Sequence, residues 1–368
     1  MKIVVTGTRG IPDILGGVET HCEELFPRIA SLGHDVTVIR RSCYVTKDKS
    51  RKEFKGVKLQ NVFAPRIKSI EAILHTFLAV IKARSMNPDI LHIHAIGPSL
   101  MVPLARLLGM KVVMTHHGFD YNRGKWGKAA KLLLKTGEKW GVRKSSAVIV
   151  ISQEIADKSL ISHGRADTSL IYNGVTAPTH SKETDYITSL GLEPRRYVVA
   201  VGRFVPEKCF DLLIKSFLDS GLSKEGYKLA IAGDADHSDN YSQQLKKLAS
   251  ENADKIVLTG FIKGEKLNQL FSNAALFCLP SSHEGLPISL LEAMSYELDV
   301  LVSDIPANLI AEIDHSADTF PCGDGEALTR ALSRKLAGKT PESRKYDLSA
   351  YNWNHIAQQT LEVYSSLL

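Results

Sequence analysis

The feature that most constrains this chain is an alternation that runs its whole length. Short runs rich in β-branched residues recur, each followed by a stretch with helical spacing. K-I-V-V-T (2–6), D-V-T-V-I (35–39), D-I-L-H-I-H (89–94), K-V-V-M-T (111–115) and A-V-I-V-I (147–151) read as strands covered on both faces, since a parallel sheet leaves them no wet side. Helical spacing over 18–32, 70–86 and 98–108 fits between them. The series then restarts with Y-V-V-A-V (197–201), K-L-A-I-A (228–232), K-I-V-L-T (255–259), A-L-F-C-L (275–279) and D-V-L-V-S (299–303). Strand–helix alternation winds into an open sheet with helices on both faces, and the restart makes two such α/β domains. A length of 368 residues agrees, being more than one core usually holds. The stretch 172–196, with Asn-Gly, two prolines and little periodicity, reads as the linker.

Charge separates the halves. Residues 1–180 carry 27 Lys and Arg against 14 Asp and Glu, net +13, which leaves 19 against 26, net −7, for residues 181–368. A basic half suits an anionic surface; a bias without function is the plainer reading. Five scattered cysteines form no C-x-x-C, which argues against a disulfide framework or a zinc site and for a reducing compartment. The apolar run after Lys2 is too short for a signal peptide, and no window reaches the ~20 apolar residues of a membrane span. A cytoplasmic protein is expected.

Ligands of open α/β sheets bind at the carboxyl ends of the strands, so the residues that follow each strand come next. After the first strand, Gly7, Gly10, Gly16 and Gly17 form a flexible loop that ends at a helix start, where backbone N–H groups can meet an anion; a plain strand-to-helix turn would look the same. After K-V-V-M-T come His116, His117 and Asp120, placed for a substrate or for structure. After Y-V-V-A-V, Arg203 and Lys208 flank a proline turn and suit a diphosphate, unless they only pair with Glu207 or Asp211.

The stretch H-E-G-L-P-I-S-L-L-E-A-M-S (283–295) holds two carboxylates eight positions apart. Pro287 suits a helix's first turn, so a helix is expected over about 286–296, with Glu284 in the loop before it and Glu292 on an apolar face inside it. One carboxylate can hold a sugar hydroxyl, the other a ribose diol, and the positive helix end a phosphate. A buried salt bridge is the competing reading for Glu292. Elsewhere, R-G-K-W-G-K-A-A-K-L-L-L-K-T-G-E-K-W-G-V-R-K (123–144) holds eight basic residues against Glu138. Lys128, Lys131, Lys135 and Lys139 form one stripe, with Trp126, Leu133 and Trp140 elsewhere, which reads as a membrane-surface helix or a solvated face.

Together these residues resemble the retaining glycosyltransferases of family 4. H-E-G-L-P-I-S-L-L-E-A is similar to that family's E-x7-E signature, and G-R-F-V-P-E-K-C-F-D-L-L (202–213) to its G-R-x-x-x-E-K-G-x-D-x-L segment. G-G-V-E (16–19), H-G-F-D (117–120), I-Y-N-G-V (171–175), S-D-I-P-A-N (303–308) and W-N-H-I-A-Q-Q-T (353–360) have counterparts there. The stretches 97–109 and 117–127 resemble a bacterial surface-polysaccharide subgroup that includes rhamnosyltransferases.

The resemblance implies a GT-B fold: two doubly wound Rossmann-like domains facing a central cleft, 1–180 for the acceptor and 181–350 for the nucleotide-sugar donor. A terminal helix, 351–368, would cross back to the first. It implies that Arg203 and Lys208 bind the donor diphosphate, Glu292 the ribose and Glu284 hydroxyls of the transferred sugar. Backbone at Gly285, Leu286 and Pro287 would line phosphate and sugar. Backbone at Gly260, Phe261 and Ile262 would meet the base, and Gly16 and Gly17 would approach the phosphate. His117 matches the active-site histidine and would serve the sugar's 6-position or the transition state. Cys209, where the family usually has Gly, is a departure that bears on the loop carrying Lys208.

The implied partners are a nucleoside-diphosphate sugar and a glycan or lipid-linked acceptor, with anionic membrane a further one through the basic helix. No other cofactor is expected. No metal is either, because Arg and Lys supply the positive charge and D-x-D occurs only as D-A-D (234–236). A short-chain dehydrogenase or nucleotide-sugar epimerase is the nearest rival: T-G-T-R-G-I (6–11) is loosely like a dinucleotide loop, and Tyr121 and Lys125 satisfy Y-x-x-x-K. A non-catalytic sugar-binding protein is the other. Nucleic acid is not expected, for want of interleaved aromatics and of any known motif.

Overall fold

A computed structural model describes all residues except 46–49, 66–70, 123–125 and 236–237. The chain divides into two compact units, Met1–Gly174 with Tyr351–Leu368, and Val175–Ala350. The first holds strands β1 (Lys2–Thr6), β2 (Asp35–Arg41), β3 (Glu53–Phe54), β4 (Val57–Val62), β5 (Ile90–His94), β6 (Val112–His116), β7 (Ala147–Val150) and β8 (Thr168–Leu170). The second holds β9 (Tyr197–Val201), β10 (Lys228–Ala232), β11 (Ile256–Gly260), β12 (Leu276–Leu279), β13 (Val300–Ser303) and β14 (Thr319–Phe320).

The sheet orders are β3-β4-β2-β1-β5-β6-β7-β8 and β11-β10-β9-β12-β13-β14. Every pairing is parallel except β3 with β4. In each sheet the winding reverses beside its first strand, between β1 and β5 and between β9 and β12. Those are the switch points where the following loops part and leave a crevice.

The ten runs read as strands all form strands, shifted by two residues at most. The sequence reading missed β3 and β4, β8 and β14 for a physical reason. β3 and β14 have only two residues each, β8 has three, and β4 (V-K-L-Q-N-V) mixes buried and exposed positions, so none is a buried apolar run.

The cores follow from the apolar runs. Val198, Ala200, Leu229 and Ile231 face one side of the second sheet beneath Phe210, Leu213 and Phe217 of the Phe210–Asp219 helix. Val199, Ala230 and Phe277 face the other, against Leu290 and Met294. In the first unit Ile3 and Val5 pack with Leu25 and Phe26 of the Gly17–Ser31 helix and with Ile356 and Tyr364 of the Trp353–Ser365 helix. That terminal helix is capped by the Asn352 side chain, which accepts from the amides of Asn354 and His355. Its Trp353 ring lies where a Cβ on Gly174 would stand, 2.5 Å away. Tyr364 Oη is 2.6 Å from His92 Nδ1, and Lys111 Nζ donates to the Leu367 carbonyl at 2.6 Å.

Candidate functional site

In the second unit the loops after β9 and β12 meet at the switch point. The Gly202 amide, just past β9, donates to the Ala232 carbonyl at 2.9 Å, which turns the chain into the loop 202–208. The Ser282 amide, past β12, donates to the Glu207 carbonyl at 2.9 Å and ties the two loops together. Across that tie Lys208 Nζ lies 2.5 Å from Glu284 Oε1, with the side chains 14% and 13% exposed. An ion pair this covered holds both groups in one geometry yet leaves an edge open to a ligand.

Lys208 does not take Glu207 or Asp211 in this ion pair; the Asp211 carboxylate instead accepts from Tyr241 Oη at 2.9 Å. Arg203 lies half-buried in the same loop.

Glycine at position 202 leaves room for this arrangement. A Cβ there would stand 3.0 Å from Lys208 Cε and 3.3 Å from the Phe210 ring. Beside it, a Cβ on Gly233 would stand 1.9 Å from the Gly202 carbonyl oxygen. Cys209 has φ 51°, ψ 36°, a left-handed conformation that a non-glycine residue adopts at a cost of ~1–2 kcal/mol. Glycine's usual place here thus has a backbone reason, and Cys209 keeps the conformation.

Under Glu284 the β12 and β13 ends are clamped together. Ser303 Oγ donates to the Ser281 carbonyl at 2.5 Å, and Asn308 Nδ2 donates to Ser303 at 3.0 and 2.9 Å. The S-D-I-P-A-N stretch is therefore scaffold here.

The helix over 283–295 is shorter than expected. It spans Ile288–Ser295, and Pro287 is its cap with ψ 110°, not a residue of the first turn. The Pro287 carbonyl takes the Leu290 and Leu291 amides. Glu292 sits half-buried in the second turn between buried Leu291 and Ala293. On the neighbouring rim, the Gly260 carbonyl is engaged by the Gly233 amide at 2.9 Å, while Phe261 is exposed and Ile262 half-buried. Of D-A-D, Asp234 pairs with Lys246 at 2.7 Å, and Asp236 lies outside the described residues.

The first unit's switch point holds a second group. The glycine loop after β1 is cross-linked, not flexible. The Glu19 carboxylate accepts from Thr8 Oγ1, the Arg9 amide and the Arg9 guanidinium, with Arg9 Nη2 at 2.8 Å. Gly16 (φ 147°) caps the Gly17–Ser31 helix, and a Cβ there would stand 2.3 Å from Arg9 Nη2. A Cβ on exposed Gly17 would meet nothing within 4 Å. Its helix start has no side-chain cap.

The three candidates after β6 part company. His116 is buried, with Nε2 3.4 Å from Glu138 Oε1, and accepts from the Gly118 amide. Burial would raise the Glu138 pKa, but the hydrogen bond from His116, together with His163 and Tyr121, outweighs it and holds the carboxyl low. His116 is thus part of the scaffold, and Asp120 lies in a short turn over Asp120–Asn122.

His117 turns the other way. Its Nε2 is 2.9 Å from His94 Nδ1, and its ring stands edge-on to His21 with centroids 4.9 Å apart. His21 is held by Asn173 Oδ1 at 2.9 Å. Burial first, then the neighbouring imidazoles, push the pKa values of His94 and His117 well below the usual range, and burial takes His21 to about 4. All three rings are neutral at pH 7. Their gathering is the main site feature the sequence reading missed: His21 and His94 sit inside runs that read as core helix and core strand.

The basic helix spans Lys128–Lys144, with Arg123 and Lys125 outside the described residues. Its exposed face is mixed. Leu132 (67%), Leu133 and Trp140 are exposed together with Lys139, Arg143 and Lys144, whereas Lys131 is half-buried. The rival Y-x-x-x-K reading fares poorly. Burial and Glu138 raise the Tyr121 pKa above its normal value, the opposite of what a proton-transfer tyrosine needs, and Lys125 is not described.

Comparison with known proteins follows the same division. Residues 15–177 match the family model described as Glycosyltransferase Family 4, and residues 183–353 match the one described as Glycosyl transferases group 1. An uncharacterized glycosyltransferase of Methanocaldococcus jannaschii is 24% identical over 99% of this chain and 98% of its own. A glycogen synthase of Mycobacterium tuberculosis is 24% identical over 99% and 94%. Among solved structures, sucrose-phosphate synthase of Thermosynechococcus elongatus aligns with a TM-score of 0.81 at 18% identity over 99% of this chain and 98% of that one. HepE of Anabaena, in complex with UDP and glucose, aligns at 0.77 and 18% identity over the full length of both. The fold is GT-B.

Proposed function

This chain belongs to glycosyltransferase family 4, whose members move a sugar from a nucleotide sugar with retention, and from that premise we propose how its second unit works and what it serves. The observation that carries the reading is the Lys208–Glu284 pair at the β9/β12 switch point. A nucleoside-diphosphate sugar enters there. Its diphosphate takes Lys208, Arg203 and the amides that open the Ile288–Ser295 helix, where the helix dipole adds positive potential. Glu284, freed from Lys208 as the ammonium turns to phosphate, accepts from hydroxyls of the transferred sugar. Glu292 accepts from the ribose diol, and backbone at Phe261 and Ile262 meets the base.

Negative charge grows on the departing diphosphate, so fixed cations and amides lower the barrier by preorganised electrostatics. No divalent metal is needed for that. Glu284 could also be written as the nucleophile of a two-step reaction; front-face displacement is the reading taken here, and a trapped glycosyl-enzyme at Glu284 would reverse it.

A thermal-shift series with UDP-, GDP-, ADP- and dTDP-sugars tests this, because a ligand that binds only the folded chain stabilises it by RT ln(1 + [L]/Kd). One base class should raise Tm and be slowly hydrolysed. Glu292→Gln should raise the donor KM at least tenfold, from the loss of a charged hydrogen bond of about 1.5–3 kcal/mol. If no nucleotide sugar shifts Tm and none is hydrolysed, the reading falls.

The acceptor we assign is a hydroxyl of a glycan or lipid-linked glycan in bacterial surface-polysaccharide synthesis, in line with the subgroup resemblance of residues 97–109 and 117–127. The enzyme would work at the inner face of the membrane; no helix among the described residues is long and apolar enough to cross one. Exposed Leu132, Leu133 and Trp140 beside Lys139, Arg143 and Lys144 fit a helix lying on anionic lipid. Co-sedimentation with vesicles should rise steeply with the anionic-lipid fraction and fall with salt. Binding indifferent to that fraction would count against membrane docking.

A further inference from the structure

We propose that His21, His94 and His117 form a zinc site in the first unit. One ligand nitrogen from each lies within 4.8 Å of the others. His21 stands on the Gly17–Ser31 helix, His94 ends β5 and His117 follows β6, so three rigid elements carry the set.

The hydrogen bonds leave lone pairs in the right place. Asn173 Oδ1 is an acceptor 2.9 Å from His21 Nδ1, so Nδ1 bears the proton and Nε2 is bare. A histidine ligand held through its other nitrogen in this way is the usual outer-shell arrangement of zinc sites. His21 Nε2 is buried with no hydrogen-bond partner among the described residues. Such an atom costs ~1–3 kcal/mol, so a polar occupant is favoured.

His94 and His117 already share a proton across 2.9 Å, and a metal ion would take that proton's place. Tetrahedral zinc with bonds of ~2.0–2.1 Å keeps its nitrogens roughly 3.3 Å apart, so the three rings need to shift by about 1 Å at most. Nitrogen-only ligation excludes magnesium and calcium, which take oxygen. Neutral imidazoles are ready to ligate, and half-buried His117 is the side from which an ion enters. A bound ion engages His117, so zinc acts as a reversible brake on transfer; this last clause alone rests on the transferase reading.

Calorimetric titration of zinc chloride into the untagged, EDTA-stripped full-length chain should show one equivalent bound, and magnesium chloride none. Cobalt should give the visible bands of a tetrahedral ion. His21→Ala and His94→Ala should each weaken binding at least a hundredfold. Asn173→Ala should weaken it about tenfold, and it carries the test if a histidine variant does not fold. Undiminished binding in the His21→Ala/His94→Ala double variant overturns the site, as does a wild-type Kd weaker than about 100 μM. These arms use no sugar donor, so an inactive transferase leaves them standing. Separately, stripping with EDTA should leave turnover unchanged or raised. A magnesium requirement for turnover would overturn metal-free transfer and leave the zinc site untouched.

Discussion

Lys208→Ala should lower kcat/KM at least a hundredfold, with Arg203→Ala close behind and far-ultraviolet circular dichroism unchanged in both. The estimate comes from what a preorganised group supplies to developing negative charge, about 2.7–4 kcal/mol for one donor, a factor of 10²–10³ in rate. Lys208 has a further reason for a large effect. Its ammonium holds Glu284 in the resting site at 2.5 Å, so its loss also leaves a covered carboxylate without this cation. Urea unfolding of Lys208→Ala separates the two contributions: a carboxylate deprived of this cation lowers the stability of the second unit, whereas loss of a diphosphate contact alone does not. Near-normal turnover in Lys208→Ala would remove the diphosphate assignment altogether.

The second large effect is on stability against acid. Burial holds His92 at about 3, and His21 and His75 at about 4, against an ordinary 6.5. A folded pKa below the unfolded one means that the unfolded chain binds the proton first. Stability is therefore whole above pH ~6.5 and falls as the pH drops from there toward the folded values. Between pH 6.5 and 5 each histidine costs on the order of 2 kcal/mol, so the three together approach a typical domain's whole stability of about 5–15 kcal/mol. Urea unfolding of the metal-free chain should show the first unit losing stability steeply across that window, with at least three protons taken up on unfolding, since His94 and His117 are lowered as well. A flat profile from pH 7 to 5 would show that these rings do not titrate as their burial demands.

How much of this was legible in the sequence depends on whether chemistry sat near or far along the chain. The sheets were legible because a covered parallel strand is an unbroken apolar run, as in Y-V-V-A-V and K-L-A-I-A. The Lys208 and Glu284 loops could be matched because each follows such a run at a carboxyl end. Short β8 and β14 and the mixed strand β4 carry no such run and were invisible. So was the histidine group: His21 and His117 stand 96 positions apart and Asn173 farther still. Only the β1–β5–β6 order brings their elements together. The carry-over from the family reached His117 through H-G-F-D and stopped there. The glycine loop misled in the other direction. Four glycines suggest freedom, but Glu19 and Arg9 sew the loop shut.

The returning terminal helix has a consequence for biogenesis. Ile356, Tyr364 and the Leu367 carbonyl belong to the interior or edge of the lobe that is translated first. During synthesis that lobe stays incomplete until residues 353–367 have been made, by which point the later lobe already has all its strands. The earlier lobe therefore cannot complete its fold ahead of the later one, as vectorial synthesis usually has it, and a stop before residue 353 would leave its apolar helix face uncovered.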